Sequence, residues 1–175
     1  KTKKYMREPV GYDNDLFIEE VKYNYSNFRL KAQNSVAAMA LPINHQSALN
    51  VSKERRETVF EDRWNKGGVP FIAAFEDLNF DREANETAAK FVRNKIKSLV
   101  KDSHVAKLLT PDYPIGCKRL AVDSNYYESY NKPNISLVDL KTTPLEEFYA
   151  KGINTSKNHY ELDIIILATG FDAMT

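Results

Sequence analysis

Two adjacent cations, Lys118 and Arg119, are the residues of this chain best suited to chemistry. In an extended segment neighbouring side chains point to opposite sides, so the pair can serve two different anions instead of competing for one. A lysine ammonium is a compact point charge suited to a phosphate, whereas a guanidinium stays charged at any working pH and offers several donors in a rigid plane. The competing reading, and the commoner one for a basic pair, is a surface ion pair with Glu128 or Asp123 worth under about 1 kcal/mol. Cys117 stands next to both cations and is a candidate reactive thiol. No histidine or resolving cysteine accompanies it in a catalytic spacing, so a small buried filler is its expected role.

A second candidate lies near the end of the chain, where the apolar run Leu162-Asp163-Ile164-Ile165-Ile166-Leu167 stops at Ala168-Thr169-Gly170-Phe171-Asp172. Such a run reads as a buried strand feeding a tight turn. Gly170 allows a close backbone approach by a ligand or by a crossing strand, and strands ending in glycine are also ordinary architecture. Other residues carry less. His45, His104 and His159 have no metal-ligand spacing. Asp77, Asp81 and Glu83 form no acid and base constellation and read as helix caps and solvated faces. Trp64 reads as a core anchor.

The elements that must position these residues divide the chain into a helical segment over 1–111 and a strand-rich part over 112–175, the two forming one compact unit. From Asp13 to Ala38, the residues Phe17, Val21, Tyr25, Phe28 and Ala32 recur at three and four positions and predict one buried helical face. Ser52 is a helix cap with Glu54 and Glu57 near the positive end of the dipole, Val59, Phe60 and Trp64 share a side, and Gly67-Gly68 ends the helix. Residues 71–80 fit either a short helix or a loop that drops aromatics into a core. Asp81 caps a strong helix with Ala84, Ala88, Phe91, Ile96 and Leu99 on one face, and a shorter helix spans Ser103 to Leu109 before Thr110-Pro111. Strands are expected from Cys117 onward, at Ile135–Leu140, Leu145–Tyr149, Gly152–Thr155 and His159–Leu167, with Ile164–Leu167 as the central strand of a sheet.

Composition is that of a soluble globular segment, 42% apolar and 28% charged, with a net charge of +1 that leaves no nucleic-acid footprint. No apolar stretch approaches the roughly 18 residues a membrane helix needs, and no signal-peptide centre is present near Lys1. A single cysteine forms no internal disulfide, which fits a reducing cytoplasm.

Tyr113-Pro114-Ile115-Gly116-Cys117-Lys118-Arg119, followed by Asp123-Ser124-Asn125-Tyr126-Tyr127 and Asn131-Lys132-Pro133-Asn134-Ile135, joins the Ala168-Thr169-Gly170-Phe171-Asp172 ending in a larger pattern. Together they resemble the C-terminal half of the nicotinamide domain of Baeyer–Villiger monooxygenases, flavoproteins that turn ketones into esters or lactones. The likeness extends over residues 52–175, including Trp64-Asn65-Lys66-Gly67-Gly68 and Phe75 to Ile96, and more loosely over 1–51.

The resemblance implies an α/β fold in which a helix-rich first two thirds precedes strands that complete part of a Rossmann-like NADPH-binding domain. It implies FAD and NADPH as cofactors of a full-length enzyme, a ketone and dioxygen as its substrates, and a flavin peroxide as the oxygen donor. Lys118 matches the position that contacts the NADPH 2′-phosphate, Arg119 the arginine beside the flavin, and Ala168, Thr169 and Gly170 a cofactor-contacting turn. The family carries two Gly-x-Gly-x-x-Gly turns. The six glycines of this chain give no such spacing, so the expectation is a piece of the enzyme, inactive alone and without its own flavin site, whose partner is the rest of its own protein. Two other readings stand: a related flavin monooxygenase that oxidises amines or sulfides, and a non-catalytic helical interaction module whose cations touch no nucleotide.

Overall fold

The computed structural model describes residues 6–7, 22–35, 38, 43–118 and 121–170. The chain separates into two compact units, Lys1–Ile135 and Ser136–Thr175. The first contains strand β1 (Met6–Arg7), helices α1 (Tyr25–Gln33), α2 (Lys53–Lys66), α3 (Arg82–Leu99) and α4 (Ser103–Leu109), strand β2 (Val122–Asp123) and helix α5 (Tyr126–Ser129). The second contains strands β3 (Leu145–Tyr149), β4 (Gly152–Thr155) and β5 (His159–Glu161).

Local chemistry sets the helix boundaries. The Ser52 hydroxyl accepts from the Arg55 N–H at 3.2 Å and so satisfies one free donor at the start of α2. At the other end Gly67 and Gly68 take φ of 70° and 74°, a pair of conformations that side chains resist. Val69–Ala73 then forms a 3₁₀ turn with Pro70 near its start. This settles the ambiguous 71–80 stretch as a short 3₁₀ piece and turns that bury Phe71 and Phe75 but leave Phe80 exposed. Asp81 caps α3 through N–H groups of Glu83 and Ala84 at 2.8 and 2.9 Å, and Asp102 does the same for α4.

The core of the first unit is aromatic and alanine-lined. Phe60 meets Phe71, Phe75 and Phe91 at centroid distances of 5.6, 5.5 and 5.5 Å, and Trp64 meets Phe71 and Phe91 edge-on. Each such pair contributes about 0.5–1.5 kcal/mol beyond the area it buries. Trp64 is thus the core anchor expected. Ala84, Ala88 and Ala89 on α3 let the neighbouring segments approach closely, and Val92 and Ile96 extend the buried stripe. Across α2 and α3 the Lys95 ammonium lies 2.7 Å from the Glu61 carboxylate.

Residues 43–50 are stitched to this core by the Asp77 carboxylate, which accepts from the Ser47 hydroxyl at 2.6 Å and from the Ala48 N–H at 2.9 Å. Arg56 donates to the Ala48 carbonyl at 2.7 Å. Asn131, expected only as part of a turn, closes the end of α3 by donating to the Leu99 carbonyl and accepting from the Lys101 N–H, both at 2.8 Å. β1 and β2 pair in parallel, Met6 with Val122 and Arg7 with Asp123.

Three expectations need correction. The helical face drawn from Asp13 to Ala38 is covered by nothing among the described residues: α1 buries no residue, and Tyr25 and Phe28 are 57% and 41% exposed. Phe17 and Val21 lie outside the described residues. Residues 135–140 form no strand, and among the described residues after Cys117 pairing begins at Val122. The strand expected over His159–Leu167 ends at Glu161, and Ile164–Leu167, expected as a central strand, has no regular structure, with Ile164 and Ile166 77% and 84% exposed. A strand exists only by pairing with neighbours, and no described strand of the second unit lies beside this run.

The second unit is an antiparallel meander in the order β3-β4-β5. Phe148 sits opposite Ile153, Tyr149 opposite Gly152, and Ile153 opposite Tyr160, with a bulge between Leu145 and Glu147. A Cβ at Gly152 would stand 1.9 Å from the Tyr160 carbonyl oxygen, so only glycine fits where β4 and β5 cross so closely.

Candidate functional site: the loop presenting Lys118

Lys118 is displayed by a loop that α3 holds rigidly. Pro111 is fully buried, and its carbonyl accepts from the Arg93 Nε at 3.0 Å. Four residues on, Ile115 is buried as well. Its N–H donates to the Asn85 Oδ1 at 3.0 Å, and its carbonyl accepts from the Asn85 Nδ2 at 2.9 Å. The same Nδ2 donates to the Leu78 carbonyl at 2.8 Å. One buried amide therefore ties the loop and the preceding turn to the helix.

Beyond Ile115 the chain reverses. Gly116 has φ of +86°, and the Cys117 N–H donates to the Pro114 carbonyl at 3.4 Å, as in a type II turn with glycine at its third place. With Ile115 turned inward, the next residues face water. Cys117 is exposed, which corrects the expectation of a buried filler. Lys118 is exposed too, and its ammonium lies 4.5 Å from the centroid of the Tyr113 ring. That distance is a cation–π contact. An exposed ammonium has three donors, and the ring face occupies only one side of it, so it can still donate to an anion.

Arg119 lies outside the described residues. Ala168, Thr169 and Gly170 belong to the second unit, where they are exposed and without regular structure. Gly170 has φ of +93°, and the space beside its Cα is open among the described residues. No group of histidine, cysteine and carboxylate side chains able to hold a metal occurs among the described residues, and no described helix is long and apolar enough to cross a membrane.

A cavity of about 530 Å³ opens between α2 and α3 over Phe60 and Phe91. Its rim mixes signs: Lys53 and Glu57 pair at 3.8 Å, and Glu86 reaches Arg93 at 2.6 Å. It selects no ligand charge.

Asn85 and Tyr113 are the site residues that sequence reasoning passed over. A polar amide set among Ala84, Ala88 and Ala89 on the apolar face of a strong helix was the available signal, because a buried amide requires partners.

No family model matches the chain. A Baeyer-Villiger monooxygenase of Pseudooceanicola batsensis is 42% identical over 171 residues, covering 95% of this chain and 31% of that protein. The chain belongs to the Baeyer–Villiger monooxygenase family. Another relative of this Baeyer–Villiger segment is a phenazine N-monooxygenase of Lysobacter antibioticus, 36% identical over 164 residues, 92% of this chain and 30% of that protein. Among solved structures, an oxidised steroid monooxygenase bound to NADP superposes with a TM-score of 0.89 at 43% identity, covering 98% of this chain and 34% of that one. The chain thus spans about a third of the length of the relatives it matches.

Proposed function

We propose that the protein carrying this chain is an FAD- and NADPH-dependent monooxygenase that inserts one oxygen atom of dioxygen into a ketone, giving an ester or lactone. The observation that carries the reading is 42% identity with a Baeyer-Villiger monooxygenase across 95% of the chain. On this reading the described strands and the Leu162–Leu167 run complete a Rossmann-like NADPH domain, and the setting is cytoplasmic.

Lys118 fits the nucleotide. Its exposed ammonium, steadied at 4.5 Å from the Tyr113 ring, supplies point-charge attraction to the 2′-phosphate that distinguishes NADPH from NADH. Ala168, Thr169 and Gly170 contribute a turn that approaches the cofactor. FAD supplies the oxygen-activating chemistry and is held by residues outside this chain, whose six glycines form no dinucleotide turn. Arg119 holds negative charge that develops on oxygen beside the flavin, as a permanent cation with donors in a fixed plane.

A second reading, oxidation of an amine nitrogen, is favoured by the 36% identity with the phenazine N-monooxygenase. One experiment separates them. The full-length protein is supplied with NADPH and dioxygen and offered a cyclic ketone or an aromatic N-heterocycle. Ester or lactone is expected from the ketone, and N-oxide alone would sink the first reading. Arg119→Ala should still consume NADPH while ester formation falls about 10²–10³-fold, the usual effect of losing one oxyanion donor.

A further inference from the structure

The Lys118 side chain has a support at each end. At the backbone, Asn85 fixes Ile115 through two hydrogen bonds at 3.0 and 2.9 Å, and the Gly116 turn sets the direction in which the chain leaves. At the tip, the ammonium rests 4.5 Å from the centroid of the half-buried Tyr113 ring. A lysine on an open surface loses much rotamer freedom when it captures an anion, and a side chain already held surrenders less. The ring can stay in place while the anion binds, since an ammonium has three donors and the ring face occupies only one side of it.

We propose that Tyr113 is a positioning residue for nucleotide choice: its ring holds Lys118 ready for the 2′-phosphate, so that Tyr113 contributes to NADPH preference without touching the nucleotide. The inference rests on the NADPH reading of Lys118. A cation–π contact of this exposure corresponds to about a two- to fivefold change in affinity.

The test is calorimetric titration of the full-length, flavin-loaded protein with NADP+ and with NAD+. Tyr113→Leu should weaken NADP+ about two- to fivefold and leave NAD+ unchanged. Tyr113→Phe, which keeps the ring, should bind both as the parent does. Pentafluorophenylalanine at position 113 keeps the shape but withdraws the negative ring face, and should behave like Tyr113→Leu even if that variant folds poorly. In a Lys118→Ala background the ring substitutions should change neither affinity.

Equal weakening of NADP+ and NAD+, or full NADP+ affinity with the fluorinated ring, would overturn the role of Tyr113 while leaving Lys118 in place. If Lys118→Ala itself binds NADP+ and NAD+ in the parent's ratio, the 2′-phosphate reading fails and the role of Tyr113 fails with it.

Discussion

At the scale of single residues, Asn85 shows how one side chain can decide the geometry of a loop thirty positions away. It satisfies the Ile115 N–H, the Ile115 carbonyl and the Leu78 carbonyl in a buried setting. Removing it leaves those groups without partners, and each orphaned buried group costs about 1–3 kcal/mol. Asn85→Leu should therefore lower stability in urea unfolding by about 2–4 kcal/mol, and a loss below about 0.5 kcal/mol would show that water replaces the amide at little cost. Glu54 offers a test of a different kind. Its carboxyl is held below the ordinary value, first by its own backbone N–H and then by the Ser52 hydroxyl. A carboxyl lowered in the folded state contributes stability above its unfolded pKa, and that contribution is lost as pH falls through the lowered one. An NMR titration should therefore place the Glu54 midpoint below the ordinary glutamate value, and Ser52→Ala should raise it toward that value.

At the scale of elements, the parts readable in the sequence were those governed by local chemistry. Ser52 and Asp81 mark α2 and α3 because a cap and a 3.6-residue apolar period are written within a few positions of each other, and α4 was readable from Ser103 to Leu109, although its cap, Asp102, was not singled out. β3 and β4 were readable for a similar reason, being joined by a two-residue turn that brings them side by side. What could not be read locally depends on a partner. Ile135–Leu140 and Ile164–Leu167 have strand composition, but pairing is a property of two segments. The α1 stripe of Tyr25 and Phe28 has a helical period, yet no described surface receives it. At the loop, exposure of Lys118 was consistent with its charge, whereas its Tyr113 and Asn85 supports required the chain to fold back onto α3. The meander gives this scale its prediction. With a Cβ only 1.9 Å from the Tyr160 carbonyl, Gly152→Ala must push β5 away from β4. Hydrogen exchange at Ile153 and at Leu162, whose N–H donates to the Lys151 carbonyl at 2.8 Å, should accelerate at least tenfold relative to the α3 amides, and unchanged protection would mean that the backbone relaxes around the methyl group.

At the scale of the whole molecule, the chain spans 31% of the Baeyer-Villiger relative it matches at 42% identity. The exposed run of Ile164, Ile165, Ile166 and Leu167 gains its meaning there, for on the proposed function it lies inside a parallel sheet covered on both faces. The expectation is an asymmetry. Ile166→Lys should change the stability of the 175-residue segment by less than about 0.5 kcal/mol, as exposed substitutions do. In the full-length protein the same lysine would be buried without a partner and should cost several kcal/mol, seen as lost soluble expression or lost flavin. Equal tolerance in both would remove this run from any sheet.

Cys117, the only cysteine in the chain, stands exposed on the turn next to Lys118. That placement makes it a reporter of occupancy. If Lys118 takes the 2′-phosphate as proposed, a thiol-directed fluorophore attached there, in protein whose remaining cysteines are replaced by serine, would sit beside the arriving adenosine ribose. Its emission should respond to adenosine 2′,5′-bisphosphate and ignore 5′-AMP, giving a spectroscopic readout of dinucleotide selection that needs neither oxygen nor turnover.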